Sequence, residues 1–271
     1  MISLVSVGES SADYYPQLDK TFVGGISLNF AVQAKRCGLD DVSVVSCIGD
    51  DNNGQLILQK LADECVDCSH ITVALGKSAH CKIEILENGE RYFPPNSYHQ
   101  HVLATCKPCP DDLKFIQQHD ILVSRFDISY TRETFNAVIR DLEFKGRRVV
   151  DFGDWFDYSG QHLEILPYLP YVDLAFISGD PNTIDAFLPI AEKFHTQFVI
   201  TLGKEGSMAI QSGSIIYQPA ILVPKLVDTT GCGDAFQAGF TVAYFTGGSI
   251  EDALKAGAEQ AAKTIQHYGA I

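Results

Sequence analysis

Apolar residues along this chain fall in short continuous runs, and stretches with helical spacing separate one run from the next. Residues 2–8 read as a buried strand, and 27–37 place apolar side chains at helical intervals until Gly38 stops them. A second strand over 42–48 precedes a helix over 53–65. Strands follow at 121–124, 147–152, 174–178 and 197–202, with helices over 132–144 and 181–194 among them. Two more helices, 234–245 and 249–266, come last. Strands that are apolar throughout and alternate with helices predict a doubly wound, mostly parallel α/β sheet flanked by helices. With 271 residues and no linker-like or repeated segment, one domain over 1–271 is expected.

Two stretches, 14–23 and 80–93, offer strands with no helix between them. In the second, Cys81, Ile83 and Ile85 alternate with His80, Lys82, Glu84 and Leu86, and Asn88-Gly89 supplies a hairpin turn. A small antiparallel β flap, a lid lying off the main sheet, is the expectation. Such flaps exclude water from transfer reactions that water would otherwise intercept.

The chemistry concentrates in Asp228-Thr229-Thr230-Gly231-Cys232-Gly233-Asp234-Ala235-Phe236. Gly231 and Gly233 flank a small residue ahead of an apolar helix, whose first backbone N–H groups lack partners and carry partial positive charge. Without a Cβ at either glycine, an anion can approach the backbone closely. Asp234 sets a carboxylate alongside, where a hydroxyl attacking that anion would arrive. An anion cradle with an adjacent base is what phosphoryl transfer to an alcohol requires. Gly-Cys-Gly-Asp by itself would equally suit a tight turn with a capping aspartate. The spacing is not a dinucleotide fingerprint, whose third glycine would fall at Phe236, and no P-loop sequence occurs.

Composition narrows the partners. Hydrophobic content of 46% with 20% charged residues fits a soluble globular enzyme. A net charge of −14 repels nucleic acid, and the densest basic cluster, Lys145, Arg147 and Arg148, is short. No apolar stretch approaches the ~20 residues that span a bilayer, and the first strand-like run carries no basic leader, so no membrane partner and a cytoplasmic location are expected. The eight cysteines include Cys65-Val-Asp-Cys68 and Cys106-Lys-Pro-Cys109. Their separation exceeds the usual zinc-ribbon interval, so reduced thiols are expected, with Cys37, Cys47 and Cys81 as small buried apolar residues.

Further motifs line up with the 228–236 run. Gly24-Gly25 followed by Asn29, Ile48-Gly49-Asp50-Asp51-Asn52-Asn53-Gly54, and Thr201-Leu202-Gly203-Lys204-Glu205-Gly206 occur in the order and spacing of the ribokinase (PfkB) family of carbohydrate kinases. The chain resembles that family from Val5 to Ala270. The resemblance implies a ribokinase-like fold and ATP-dependent transfer of the γ-phosphate to a primary hydroxyl of a small sugar. It implies Asp234 as catalytic base, with Gly231, Cys232 and Gly233 as the backbone anion hole; Cys232 stands where the family carries alanine. Asp13, Gly24, Gly25 and Asn29 would hold the sugar. Thr201, Gly203 and Gly206 would lie along ATP, and Gln266, His267 and Gly269 near its adenine. The family's monovalent cation, K+, would sit by Asp228 and Thr230. Mg2+ would accompany ATP, but the family's Asn-x-x-Glu motif is replaced here by Ser178-Gly179-Asp180-Pro181-Asn182. No direct magnesium ligand is therefore assigned, although Asp180 offers an acidic group in that stretch.

Within the family, Asp13-Tyr14-Tyr15-Pro16-Gln17-Leu18 and Thr264-Ile265-Gln266-His267-Tyr268-Gly269-Ala270 are similar to the branch that phosphorylates fructosamines. That similarity implies the 6-hydroxyl of an Amadori product such as fructoselysine as acceptor. Glu84, Glu87 and Glu90 on the flap are candidates to meet an ammonium group, or are merely solvated. Another sugar or nucleoside (fructose, ribose, ketodeoxygluconate) stays open as substrate, as does a non-catalytic sugar-binding role. An exposed flap sheet would also allow a homodimer through the lid.

Overall fold

Among the described residues nine strands build one sheet in the order β15-β14-β13-β12-β11-β10-β1-β4-β5. In chain order they are β1 (Ser3–Val7), β4 (Asp41–Gly49), β5 (Asp67–Ala74), β10 (Ile121–Arg125), β11 (Arg147–Asp154), β12 (Leu174–Ser178), β13 (Gln197–Thr201), β14 (Ser207–Gln211) and β15 (Ser214–Gln218). All pairings from β5 across to β13 are parallel, and β14 and β15 add an antiparallel edge. The computed structural model describes residues 2–126, 132–155, 164–211 and 213–271.

Alternate residues of each central strand point to opposite faces, and both faces are covered. Leu4, Val149, Leu174, Phe176 and Val199 enter one core with helices α1 (Ile26–Arg36), α2 (Asn52–Asp63), α6 (Cys232–Phe245) and α7 (Ile250–Thr264). Val5, Val7, Val150, Ala175, Ile177, Phe198 and Ile200 enter the other, against α3 (Pro110–Ile116), α4 (Arg132–Ile139) and α5 (Thr183–Phe194). The apolar runs are continuous for this reason. The expected doubly wound α/β architecture is thus observed. The expected helix over 132–144 stops at Ile139, although Phe144 still reaches the core from the loop that follows.

The lid consists of two pieces. A four-stranded sheet has the order β3-β2-β6-β9, with β2 (Ser11–Tyr15), β3 (Lys20–Gly24), β6 (Ala79–Lys82) and β9 (Tyr98–His99). Its outer pairings are antiparallel, but β2 and β6 run parallel because residues 26–74 intervene between them. Tyr15, Cys81 and Ile83 form its small core with Phe22, Ile85 and Tyr98. A separate hairpin, β7 (Glu84–Ile85) and β8 (Arg91–Tyr92), turns through Asn88-Gly89. The alternation over 80–93 is therefore shared between two sheets.

Candidate active site

The lid and the carboxyl ends of the central strands converge on the start of α6, the position that the doubly wound topology reserves for ligands. Gly231 precedes α6 with φ 73°, in the left-handed region, and a Cβ there would lie 2.3 Å from that of Ala270. Only glycine fits. Gly233 is different: a Cβ built on it meets nothing within 4 Å, so open space lies against the first turn of the helix. That space, lined by N–H groups with no intrahelical partner, suits an anion.

Asp234 follows on the same turn and is 9% exposed. From Asp234 to Val242 the helix is buried on every side, so its carboxylate has little water to ionise into. Burial raises the Asp234 pKa to about 7, the Asn29 hydrogen bond opposes the rise, and nearby Asp151 adds to it. Asn29 Nδ2 donates to Asp234 Oδ2 at 2.8 Å. This bond joins the first signature to the last across 205 residues of sequence. Asn29 Oδ1 is buried and has no partner among the described residues, leaving an acceptor for a ligand hydroxyl.

Asp13 on β2 is the second buried carboxylate. Burial first, then Glu9, raise its pKa to about 8, while the Ser11 hydroxyl, donating at 3.4 Å, opposes the rise. Gly24 on β3 pairs with Ser11, diagonal to Asp13, and a Cβ on it would stand 2.0 Å from Asp13 Oδ2. The glycine therefore lets the carboxylate lie flat against the neighbouring strand. Gly25, with φ 97°, begins α1 and delivers Asn29 one turn later. The expected sugar-site residues Asp13, Gly24, Gly25 and Asn29 are thus brought together, and Asp13 and Asn29 both face Asp234.

Residues 1–271 match the pfkB family of carbohydrate kinases along their whole length. The chain belongs to that family. It is 31% identical to the fructoselysine 6-kinase of Escherichia coli (strain K12) over 275 residues, covering all of both chains. It is 29% identical to the fructosamine kinase of Bacillus subtilis (strain 168), covering all of this chain and 93% of that one. The fold is shared with Arabidopsis thaliana ribokinase, solved with ribose and ATP, at a TM-score of 0.80 and 22% identity over 100% and 95% of the two chains. The adenosine kinase of Sinorhizobium meliloti superposes at a TM-score of 0.86 with 18% identity, over 99% of this chain and 95% of that one. This pfkB kinase is accordingly a phosphotransferase that acts on a sugar, with ATP as the donor its family uses.

Asp228, fully buried, is held from three sides in this pfkB chain. Its Oδ2 accepts from the Tyr15 hydroxyl at 2.9 Å and from Gly269 N at 2.9 Å, and its Oδ1 accepts from Thr230 N at 2.8 Å. Beside this carboxylate, Thr230 Oγ1 is buried with no partner among the described residues, which leaves an acceptor of the kind a cation cage uses. Gly269 is accordingly tied to Asp228, while Gln266 and His267 are exposed. Thr201 ends β13 with its hydroxyl 3.0 Å from that of Ser178, and Gly203 and Gly206 both take positive φ in the turn that follows. Asp180 accepts from the N–H groups of Asn182 and Thr183, which ties it into the turn that leads to α5. Among the described residues no group of three His, Cys, Asp or Glu side chains is placed to hold a metal.

Several residues at this site carry no signal in the sequence reading. Arg125 at the end of β10, Asp151 on the adjacent strand and Arg91 on the lid hairpin all act on Asp234 electrostatically. Glu9 acts on Asp13 and, with Gly8, Ser27, Tyr98 and Arg125, lines a cleft beside it. The cysteine pairs also arrange themselves differently from their sequence spacing. All eight cysteines are free, and the Cys106 thiol hydrogen-bonds to Cys47 rather than joining Cys109.

Proposed function

We propose that this kinase transfers the γ-phosphate of ATP to the 6-hydroxyl of a fructosamine, fructoselysine being the acceptor of first choice. The catalytic part rests on one observation: a buried carboxylate, Asp234, stands in the first turn of a helix whose Gly233 faces open space and is tied to Asn29. The acceptor rests on full-length similarity to kinases of fructoselysine and fructosamine. In this reading Asp13 and Asn29 grip sugar hydroxyls and aim the reacting one at Asp234. A carboxylate is far too weak a base to hold an alkoxide in the ground state. Its first task is orientation, and it takes the hydroxyl proton late, as the oxygen bonds to phosphorus and the leaving ADP departs. The N–H groups of Gly231 and Gly233 meet the phosphoryl oxygens, with Cys232 N shared with Thr229 O, to which it donates at 3.3 Å, and losing such donors typically raises a barrier by ~3–4 kcal/mol. Thr201, Gly203, Gly206, Gln266 and His267 border the nucleotide in this assignment. Mg2+ would accompany the ATP phosphates and offset their charge, and no protein ligand is assigned to it. The reading includes a cytoplasmic enzyme and a homodimer through the four-stranded lid sheet. Support for the dimer is that sheet's face with Tyr14, Lys82 and His99 exposed, and sedimentation tests it.

A panel of fructoselysine, fructose, ribose, ketodeoxygluconate and adenosine, read by coupled ADP release, tests the assignment. Fructoselysine is expected to give the highest kcat/KM. Preference for fructose, ribose or a nucleoside would replace the acceptor, and no turnover with any of them would favour a sugar-binding regulator.

A further inference from the structure

The tip of hairpin β7–β8 is fastened to the segment that enters the anion hole. Thr229 N donates to Gly89 O at 3.1 Å, and Arg91 N donates to Thr229 Oγ1 at 3.1 Å. Arg91 Nη1 donates to Thr229 O at 2.9 Å, and Thr229 Oγ1 donates to Glu90 Oε2 at 3.3 Å. These bonds hold the Arg91 guanidinium at Thr229, two residues from Gly231, 5.8 Å over the Phe93 ring and close enough to act electrostatically on Cys232, between the two glycines of the cradle. Arg91 also acts on Asp234. The side chain is otherwise exposed, and a guanidinium has five N–H donors of which Thr229 O takes one.

The cradle needs such a charge. Asp234 and Asp151 stand beside it, and a helix N-terminus offers only about half a unit of positive charge against the several negative charges of a nucleotide's phosphates. Arg125 and Arg91 both act on Asp234 from different elements. Arg125, at the end of β10, lines the cleft with Gly8, Glu9, Ser27 and Tyr98, whereas Arg91, on the lid hairpin, is fastened to Thr229 at the entry to the cradle.

We propose that Arg91 is a catalytic residue, whose guanidinium N–H groups not given to Thr229 bind the oxygens of the phosphoryl group in transit. The inference rests on the kinase reading above. In the step concerned, the acceptor oxygen bonds to the γ-phosphorus and the bond from that phosphorus to the β-bridging oxygen breaks. ADP takes the electron pair of the broken bond, and Asp234 takes the hydroxyl proton. Arg91 changes no bond; it neutralises charge on the oxygens around the phosphorus, a planar donor array suited to phosphate. Because it rides on the lid hairpin, a displaced hairpin withdraws this charge, so transfer without the lid in place is suppressed.

Arg91→Ala and Arg91→Lys test the assignment beside Asp234→Asn. Arg91→Ala is expected to lower kcat by about 10²–10³-fold while acceptor KM changes less than about threefold. Lysine should restore part of the rate, because it keeps the charge and loses the fork. Added guanidinium ion should raise the turnover of Arg91→Ala and leave Asp234→Asn unchanged. Binding gives a readout apart from turnover: calorimetry should show a non-hydrolysable ATP analogue bound about tenfold more weakly by Arg91→Ala, with ADP affinity unchanged. An Arg91→Ala enzyme with kcat within threefold of the parent overturns the inference, as does an equal loss of ADP and ATP-analogue affinity. If Asp234→Asn is inactive while Arg91→Ala is not, only this inference falls. If Asp234→Asn keeps full turnover, the role of Asp234 falls, and if the parent turns over no sugar of the panel, the kinase reading falls.

Discussion

Replacing Asp234 by asparagine should separate catalysis from stability in opposite directions. The side chain is held in a helix buried on all sides, and its pKa rises from 3.8 to about 7. At ~1.4 kcal/mol per pKa unit, ionising it in the folded protein opposes folding by roughly 4 kcal/mol at pH 8. The sign follows from the direction of the shift. A carboxyl whose folded pKa is raised favours the folded state at low pH, and that contribution is lost as pH climbs from about 4 through about 7. Asparagine keeps an acceptor for Asn29 Nδ2 and cannot ionise. The variant should therefore be more stable than the parent at pH 8, by about 1–3 kcal/mol once its new amide donors are set against the gain. For a chain of this size that is a rise of about 2–4 °C in Tm per kcal/mol, shrinking toward pH 5. Calorimetric melts at pH 5 and pH 8, with coupled ADP assays on the same preparations, check both sides. Turnover should fall by at least about 10²-fold. In the parent enzyme, kcat/KM should decline tenfold per pH unit below about 7, because the protonated carboxyl cannot accept a proton. An asparagine variant less stable than the parent at pH 8, or one with more than a tenth of parental kcat, would refute the reasoning.

Other residues give sharper tests of individual contacts. Tyr15→Phe removes one of three donors from the fully buried Asp228 and should lower stability by about 1–3 kcal/mol in denaturant titrations. Gly24→Ala drives a methyl into the Asp13 carboxylate and should raise acceptor KM about tenfold while ATP KM stays constant in initial-rate assays. Asp13→Ala should likewise act on acceptor KM; an effect confined to ATP would remove Asp13 from the sugar site.

Central strands were readable because both faces are covered, which makes runs such as Leu174–Ser178 almost wholly apolar. The edges were not. β5 alternates exposed and half-buried positions, carrying Asp67, Ser69, His70 and Thr72 where only one side meets the core. β14 and β15 form a hairpin whose outer strand is mostly exposed, so its apolar pattern is diluted. At the site, Gly231, Gly233 and Asp234 declare themselves because a close backbone approach leaves glycine as the only choice. The Asn29–Asp234 bond does not, since no local pattern links residues so far apart. Arg91 was invisible for another reason: a charged residue beside a hairpin turn resembles an ordinary solvated one until Thr229 is found beneath it.

The bonds that shape the site also govern when it can form. Tyr15 meets Asp228 across 213 residues, Asn29 meets Asp234 across 205, and the Gln33 amide meets the Ala270 carbonyl across 237. Such distant pairings close long loops before they return any contact energy, so they are slow to form. The chain's single tryptophan, Trp155, packs edge-on to Phe187 within the half of the sheet that folds from nearer neighbours. During refolding, tryptophan fluorescence should recover first and phosphoryl transfer last, which makes the enzymatic activity a clock for the final closure of the chain upon itself.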